Sequence, residues 1–359
     1  MTKREQELLD IIKENPYISQ NELADLLNIK RSSVAVHISN LIKKGYLVGR
    51  AYVINSNLSK DVCIIGGCNI DFIAKSFDKL NMKDSNPGTL EYSFGGVAKN
   101  IAENLVRMGM DNKFISVFGD DIYSKEVKDY LKKIGVDFSN SKFLTNKGMS
   151  NYISILDENN DLFTAISSME VLEEIDIDFI SKIIDLIKSY KYIVMDTNLR
   201  EDVLEYICKN CPNSKIIVDC VSRKKALKIK KLLRYIYLIK PNIYEAEELT
   251  EVPYNNEEDL EKIIKVFLNK GVKKVFISMG NEGIVYADKN ENGIVKIEEE
   301  LKIENTSGCG DAAMSGIIYG EVNGYEILEC AKFGNIAGRI TAQSMDTVSK
   351  DISEKNLLN

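Results

Sequence analysis

The sequence predicts an α/β protein: a three-layer α/β/α body on a mostly parallel sheet with a small β-lid, preceded by a small helical domain. Three observations predict it. From residue 61 onward, β-rich apolar runs alternate with helical ones, the pattern of strands buried between two layers of helices. Two segments, near 72–94 and 150–166, break that alternation and suit a lid over one end of the sheet. The first 55 residues read as helices ending in a short hairpin, and their charge has the opposite sign.

Residues 1–55 hold eight Lys and Arg against six Asp and Glu, a local +2 in a chain of net charge −7, so the remainder carries −9. The sign change marks a boundary and suggests different partners for the two parts. The acidic total argues against coating of nucleic acid or an anionic membrane by the whole molecule. A length of 359 residues suits a small domain plus a large one, and 44% hydrophobic residues suffice for a core. No stretch approaches the roughly 18 apolar residues of a membrane helix. Met1 to Glu14 is charged and helical with no secretory segment, so a cytoplasmic location is expected. The seven Cys lie mostly in apolar runs, as Cys63, Cys68 and Cys220 do, which suits buried thiols in a reducing compartment. Cys208 and Cys211 form a CxxC with no second pair at zinc-ribbon spacing.

Along residues 2–15, Leu8, Leu9, Ile11 and Ile12 fall at helical spacing, and Asn15-Pro16 ends that helix. Ser19 caps a second helix, with Glu22 completing a capping box and Leu23, Leu26 and Leu27 facing inward. After the turn Asn28-Ile29-Lys30, a third helix runs from Arg31 to Lys44 with Val34, Ile38, Leu41 and Ile42 inward, and Gly45 stops it. Residues 46–54 read as two short strands around Gly49-Arg50. Residues 17–54 closely resemble winged helix-turn-helix domains, above all in Ile18-Ser19-Gln20-Asn21-Glu22-Leu23-Ala24. In such domains the start of the third helix enters the major groove. The resemblance therefore implies DNA contacts from Lys30, Arg31, Ser32, Ser33 and His37, with Arg50 at the wing tip on phosphate. A protein–protein or dimerisation module of the same shape is the alternative. His37, the sole histidine, lies far from every catalytic motif and is given no catalytic role.

Past a polar linker at 55–60, strands are expected at Val62–Ile65, Phe114–Val117, Tyr192–Met195, Ile216–Val218, Tyr235–Ile239 and Val275–Ser278. Helices are expected at Ala98–Met108, Ser124–Ile134, Asp259–Lys270, Asp311–Tyr319 and Tyr325–Ala342. Residues 72–94 read as polar, loop-rich and weakly stranded, whereas 150–166 reads as a hairpin around Asp157-Glu158-Asn159-Asn160-Asp161.

Chemistry concentrates in Asn305-Thr306-Ser307-Gly308-Cys309-Gly310-Asp311. Two glycines lead into a helix, leaving backbone N–H groups open to an anion. A carboxylate beside them can take a proton from an attacking hydroxyl while the amides hold a transferred phosphoryl group. A plain glycine turn with Asp311 favouring the helix dipole is the bland alternative.

This stretch resembles the C-terminal signature of the PfkB, or ribokinase-like, kinases. Their N-terminal signature is matched by Gly95-Gly96-Val97-Ala98-Lys99-Asn100, their Asn-x-x-Glu element by Asn242-Ile243-Tyr244-Glu245, and their nucleotide turn by Ser278-Met279-Gly280-Asn281-Glu282-Gly283. Four motifs in the family's order cover residues 61–359. The resemblance implies a ribokinase-like fold and transfer from ATP with Mg²⁺. Asp311 is then the general base, with Gly308, Cys309 and Gly310 as the anion hole. Asn242 and Glu245 organise the metal. Ser278, Gly280 and Gly283 border the nucleotide, and Asn335 closes over the adenine. Asn69 and Asp71 at the end of the first strand, with Gly95, Gly96 and Asn100, grip sugar hydroxyls. Asn305 stands where many members have an acid, which bears on a monovalent-cation site such as one for K⁺; Cys309 replaces the usual Ala and offers its backbone amide. By analogy with both families a homodimer is expected.

Within the family, the runs Asp84-Ser85-Asn86-Pro87-Gly88, Ser150-Asn151-Tyr152 and Val218-Asp219-Cys220-Val221-Ser222 resemble pseudouridine kinases. That resemblance implies phosphorylation of the 5′-hydroxyl of pseudouridine, with Tyr152 at the substrate and Ser85 and Asn86 reading the base. A kinase for another nucleoside, ribose or fructose is the alternative. So is a ligand-sensing transcriptional regulator with a kinase fold. A plain β-turn is the alternative for residues 84–88.

Overall fold

The computed structural model describes residues 1–15, 18–47, 61–297 and 302–358. Three helices come first: α1 (Lys3–Glu14), α2 (Gln20–Leu27) and α3 (Arg31–Lys43). Thr2 with Glu5 and Ser19 with Glu22 form reciprocal capping boxes, which satisfy backbone donors left over at the two helix starts. Leu8, Leu9, Ile12, Leu23, Val34, Ile38 and Leu41 close a small core with Leu47. Leu26 and Ile42, expected inward, are 66% and 41% exposed. Each sits beside the buried stripe rather than on it, because Leu23 and Ala24, and Val34, Ile38 and Leu41, already occupy the 3.6-residue face. Buried Glu5 pairs with Lys44 at 2.8 Å and fastens α1 to the end of α3. The expected hairpin over 46–54, and Arg50 with it, lies outside the described residues from position 48 onward.

The larger part of the chain starts with β1 (Val62–Ile65), β2 (Asn69–Ser76), β3 (Gly88–Gly95) and α4 (Val97–Arg107). Next come β4 (Asn112–Ile115), β5 (Val117–Phe118), α5 (Ile122–Ile134), β6 (Lys142–Phe143), β7 (Ser150–Leu156) and β8 (Leu162–Ser168). Then α6 (Ile177–Ile187), β9 (Tyr192–Asp196), α7 (Glu201–Asn210), β10 (Lys215–Asp219), α8 (Arg223–Ala226) and β11 (Ile236–Lys240) alternate. The rest is α9 (Ile243–Thr250), α10 (Glu257–Asn269), β12 (Lys274–Ser278), β13 (Ile284–Ala287), β14 (Asn292–Val295), α11 (Cys309–Val322), α12 (Ile327–Ala342) and α13 (Glu354–Leu358).

Eight strands form the main sheet in the order β14-β13-β12-β11-β10-β9-β1-β4, parallel from β12 to β4 and antiparallel at the β13–β14 edge. Alternate side chains of one strand enter opposite layers. Cys63 and Ile65 join Ile180, Leu204 and Phe267 on one face, while Val62 and Ile64 join Ile101, Met314 and Ile317 on the other. The expected strand over 114–117 is two strands. Ser116 interrupts it, donating its hydroxyl to the Gly66 carbonyl at 2.7 Å and taking its own N–H to Ser141. Among the described residues no helix is long and apolar enough to cross a membrane.

The lid is a four-stranded sheet ordered β3-β2-β7-β8. Residues 72–94, expected to be weakly stranded, supply most of two eight-residue strands paired from Asn69↔Gly95 to Ser76↔Gly88. Their regularity is masked in sequence because one face turns to a polar cavity. The opposite face stacks Phe72 and Tyr92 on Tyr123, and Phe94 on Tyr130, at 5.3–5.4 Å between ring centres, which seats the lid on α5. Asn69 and Asp71 thereby open β2 of the lid rather than end β1.

Candidate active site

In an open parallel sheet, ligands bind beyond the carboxyl ends of the strands. Asp196, Asp219 and Lys240 are the last residues of the adjacent strands β9, β10 and β11. Above this edge lies a cavity of about 300 Å³, and Asn69, Asp71, Gly96, Asn100, Tyr152, Gly308 and Asp311 all line it. Residues up to 242 positions apart in the motif reading thus share one chamber between lid and sheet.

Asp311 sits in the first turn of α11, whose N-cap Gly308 has φ 79°. A side chain at Gly308 would run into the Thr347 carbonyl, so both the left-handed backbone and the close approach require glycine. No acceptor among the described residues takes the N–H of Gly308 or Gly310; that of Cys309 reaches the Thr306 carbonyl only at 3.4 Å. The Cys309 thiol, pushed up to about 11 by burial, points to the Asn305 carbonyl at 3.6 Å and leaves the tip to the backbone. Burial and the nearby Asp219 raise Asp311 to about 7, against the hydrogen bond from Asn100 and the charge of Lys240. The Asn100 amide donates to Asp311 at 2.7 Å, and its buried Oδ1 has no donor among the described residues.

Across the cavity, Asn69 donates to Asp71 at 2.5 Å. A Cβ at Gly95 would overlap the Asp71 carboxylate, so glycine makes room for it. Burial raises Asp71 to about 6, over the opposing hydrogen bond from Asn69. Register places Tyr152 beside Asp71 and Ser167 beside Tyr152, and both line the cavity. Ser85 and Asn86 are elsewhere. Ser85 is exposed, and Asn86 ties its own loop together by accepting from the Asn81 N–H and donating to the Asn81 and Asp84 carbonyls. Neither lines the cavity, and the bonds of Asn86 are those of a turn.

The remaining motifs meet beside the strand ends. Asn242 caps α9 in a reciprocal box with Glu245, and a bridge pairs Asn242 with Ser278. Gly280 and Gly283 turn the chain at φ 64° and 109°. Asn335 donates to the Val295 and Lys296 carbonyls, so its amide N–H braces the exit of β14. Glu245 is buried, its pKa raised by desolvation, and Asn242 N–H occupies one carboxylate oxygen. A hard anionic oxygen beside an amide oxygen fits Mg²⁺, which keeps several waters and few protein ligands. Among the described residues no three metal-ligating side chains converge. Asn305 fits a K⁺ site poorly: its Oδ1 accepts the Ser307 N–H and its amide donates to the Met345 carbonyl at 3.0 Å, leaving no anionic oxygen for a cation.

Several functional residues escaped the motif reading. Buried Lys240 stands 3.5 Å from Asp219 and 3.7 Å from a Cβ built at Gly310, beneath the anion site. Burial opposes its charge, but Asp219, Glu245 and Asp311 together raise its pKa and keep it an ammonium. Its signal was present in Lys240-Pro241-Asn242. Val221 lines the cavity at φ 58°, a strained backbone for a β-branched residue, held by its N–H on Asp219. Lys225 on α8 lines it too and donates to Asn198 at 2.6 Å. Val221 lies within the run 218–222 but is given no role there, and the signal of Lys225 is weak because five of residues 223–231 are lysines.

On the N-terminal helices, Lys30, Arg31 and Ser32 are exposed at the start of α3, whereas Ser33 and His37 are half-buried. The His37 Nδ1 is buried without a partner among the described residues.

Residues 59–354 match the profile described as pfkB family carbohydrate kinase, and residues 1–48 match that of winged helix-turn-helix DNA-binding domains. The chain is 30% identical over 359 residues to the uncharacterized sugar kinase YeiI of Escherichia coli (strain K12), covering 100% of this chain and 98% of that one. It is 31% identical over 297 residues to the pseudouridine kinase of the same organism, covering 83% and 95%. The structure of Arabidopsis thaliana ribokinase complexed with ribose and ATP superposes with a TM-score of 0.72 at 17% identity, covering 83% of this chain and 97% of that one, which shows the shared fold.

Proposed function

We propose that this chain, which belongs to the pfkB family of carbohydrate kinases, transfers the γ-phosphoryl group of ATP to the 5′-hydroxyl of pseudouridine. One observation carries the chemistry: Asp311, at a glycine-framed helix start with open amides, faces the same cavity as Asn69, Asp71 and Asn100. The hydroxyl oxygen attacks the γ-phosphorus, its proton passes to the Asp311 carboxylate, and the bond to the bridging oxygen breaks to release ADP. The tip amides and Lys240 offset the charge that develops. Glu245 and Asn242 are the residues suited to hold Mg²⁺, which when bound neutralises phosphate charge.

Two features support a nucleoside over a free sugar. The chain is similar to a pseudouridine kinase along most of both lengths. Besides the hydroxyl-gripping pair, the cavity is lined by apolar Met169, Leu172 and Val221 and by polar Tyr152, Ser167, Asn198 and Lys225, a lining suited to a base with carbonyl acceptors. The test is ADP release with ATP and Mg²⁺ over pseudouridine, uridine, inosine, ribose and fructose. Pseudouridine is expected to give the highest kcat/KM; ribose or fructose far ahead of it overturns the substrate.

A second activity, operator binding through Lys30, Arg31 and Ser32, is favoured by the match of residues 1–48 and by the exposure of those side chains. Operator binding with and without nucleoside tests it and separates a kinase from a ligand-sensing regulator.

A further inference from the structure

We infer that Asp196 is the positioning residue of the acceptor pocket: one buried carboxylate that holds three separate stretches of its wall in register. Asp196 ends β9 and is 0% exposed. Its Oδ2 accepts the N–H of Gly67 at 2.8 Å and that of Ala98 at 3.2 Å. Its Oδ1 accepts the N–H of Asn198 at 2.9 Å.

Each donor belongs to a different part of the pocket. Gly67 leads into Asn69 and Asp71. Ala98 lies in the first turn of α4, two residues before Asn100, the partner of Asp311. Asn198 takes the Lys225 ammonium on its Oδ1. Hydroxyl grip, base partner and cavity cation therefore hang on a single anion. A carboxyl group offers acceptor sites on both of its oxygens, which a side-chain amide does not. Gly66 is glycine for the same reason: a Cβ there would stand 2.5 Å from Asp196 Cγ and 2.9 Å from the Ala98 Cβ. Asp196 touches none of the reacting atoms and acts through the groups it holds.

The inference rests on the cavity being the acceptor site and not on which acceptor fills it, so it is measured with the best acceptor of the wild-type panel. Asp196→Asn keeps the volume but sets an amide N–H against a backbone N–H. The acceptor KM is expected to rise about 10- to 100-fold, more than kcat falls, while the ATP KM stays within about twofold. Gly66→Ala, which crowds the same carboxylate with Asp196 intact, is expected to give the same split. The double variant should be no worse than the more affected single one, because both act through one contact set. Thermal melts of all three identify folded protein. Folded Asp196→Asn with an unchanged acceptor KM overturns the inference, as does full additivity of the two variants. A rise confined to the ATP KM overturns the acceptor assignment of the cavity and the inference with it.

Discussion

The amide of Asn100 donates to the carboxylate of Asp311 at 2.7 Å, joining the first turns of α4 and α11 across 211 residues of chain. One end of Asn100 thus holds the Asp311 carboxylate, and the other, its Oδ1, is buried without a partner among the described residues. In the proposed reaction both base and acceptor therefore meet this one side chain.

Replacing Asp311 by Ala removes the proton acceptor. kcat is expected to fall by about 10²–10⁴, with acceptor binding retained in calorimetry. Near-wild-type turnover would withdraw the base assignment.

Asp311 must be ionised to act, and burial holds it near a pKa of about 7. kcat/KM should therefore rise with pH through about 7 and then level off. Asn100→Asp sets a second carboxylate beside it and should shift that limb upward. The stability consequence has the opposite sense. A carboxyl whose pKa is raised on folding weakens the fold as pH climbs from its ordinary value, 3.8, through about 7. Asp311→Asn should accordingly raise Tm at pH 8 and leave it unchanged at pH 3.5. A lowered Tm at pH 8 contradicts this.

Asp71→Ala removes the carboxylate that pairs with Asn69 over Gly95. The acceptor KM should rise at least about tenfold, as for loss of a charged hydrogen-bond partner, with the ATP KM unchanged. Equal effects on both substrates would place Asp71 in the scaffold instead.

The Asn305 amide donates to the Met345 carbonyl, and its Oδ1 accepts the Ser307 N–H. Turnover should stay within about twofold when K⁺ is exchanged for a bulky organic cation, because no anionic ligand is present to hold the ion. Asn305→Asp should introduce a dependence on K⁺. Loss of wild-type activity without K⁺ rules this out.

Arg31→Ala should weaken operator binding in a gel-shift assay and flatten its salt dependence by about one phosphate contact, leaving turnover unchanged. Unaltered DNA affinity would favour an interaction module.

How far the sequence could be read depended on the range of the physics involved. The Ser19–Glu22 capping box and the αL turn at Gly45 are encoded within four residues, and both are present. Ser85 and Asn86 misled because turn-forming and ligand-reading residues have the same chemistry; only the bonds of Asn86 to Asn81 and Asp84 tell them apart. The lid strands were underestimated because Asp71 and its neighbours face a cavity that no local pattern records. Asp196 was missed altogether. An acid closing the run Tyr-Ile-Val-Met looks like the wet end of a strand until Gly67 and Ala98 are seen to close over it.

By itself the sequence determined the three N-terminal helices, the alternation of strands and helices that follows and the glycine-framed acid at the start of α11, since periodicity, caps and turns act over a few residues. Tertiary structure alone decided that residues 71, 100 and 311 surround one cavity, with residue 196 buried behind its wall. Crossover connections bring strand ends and helix starts to the same edge, and a one-dimensional pattern does not encode the distance between groups so far apart along the chain.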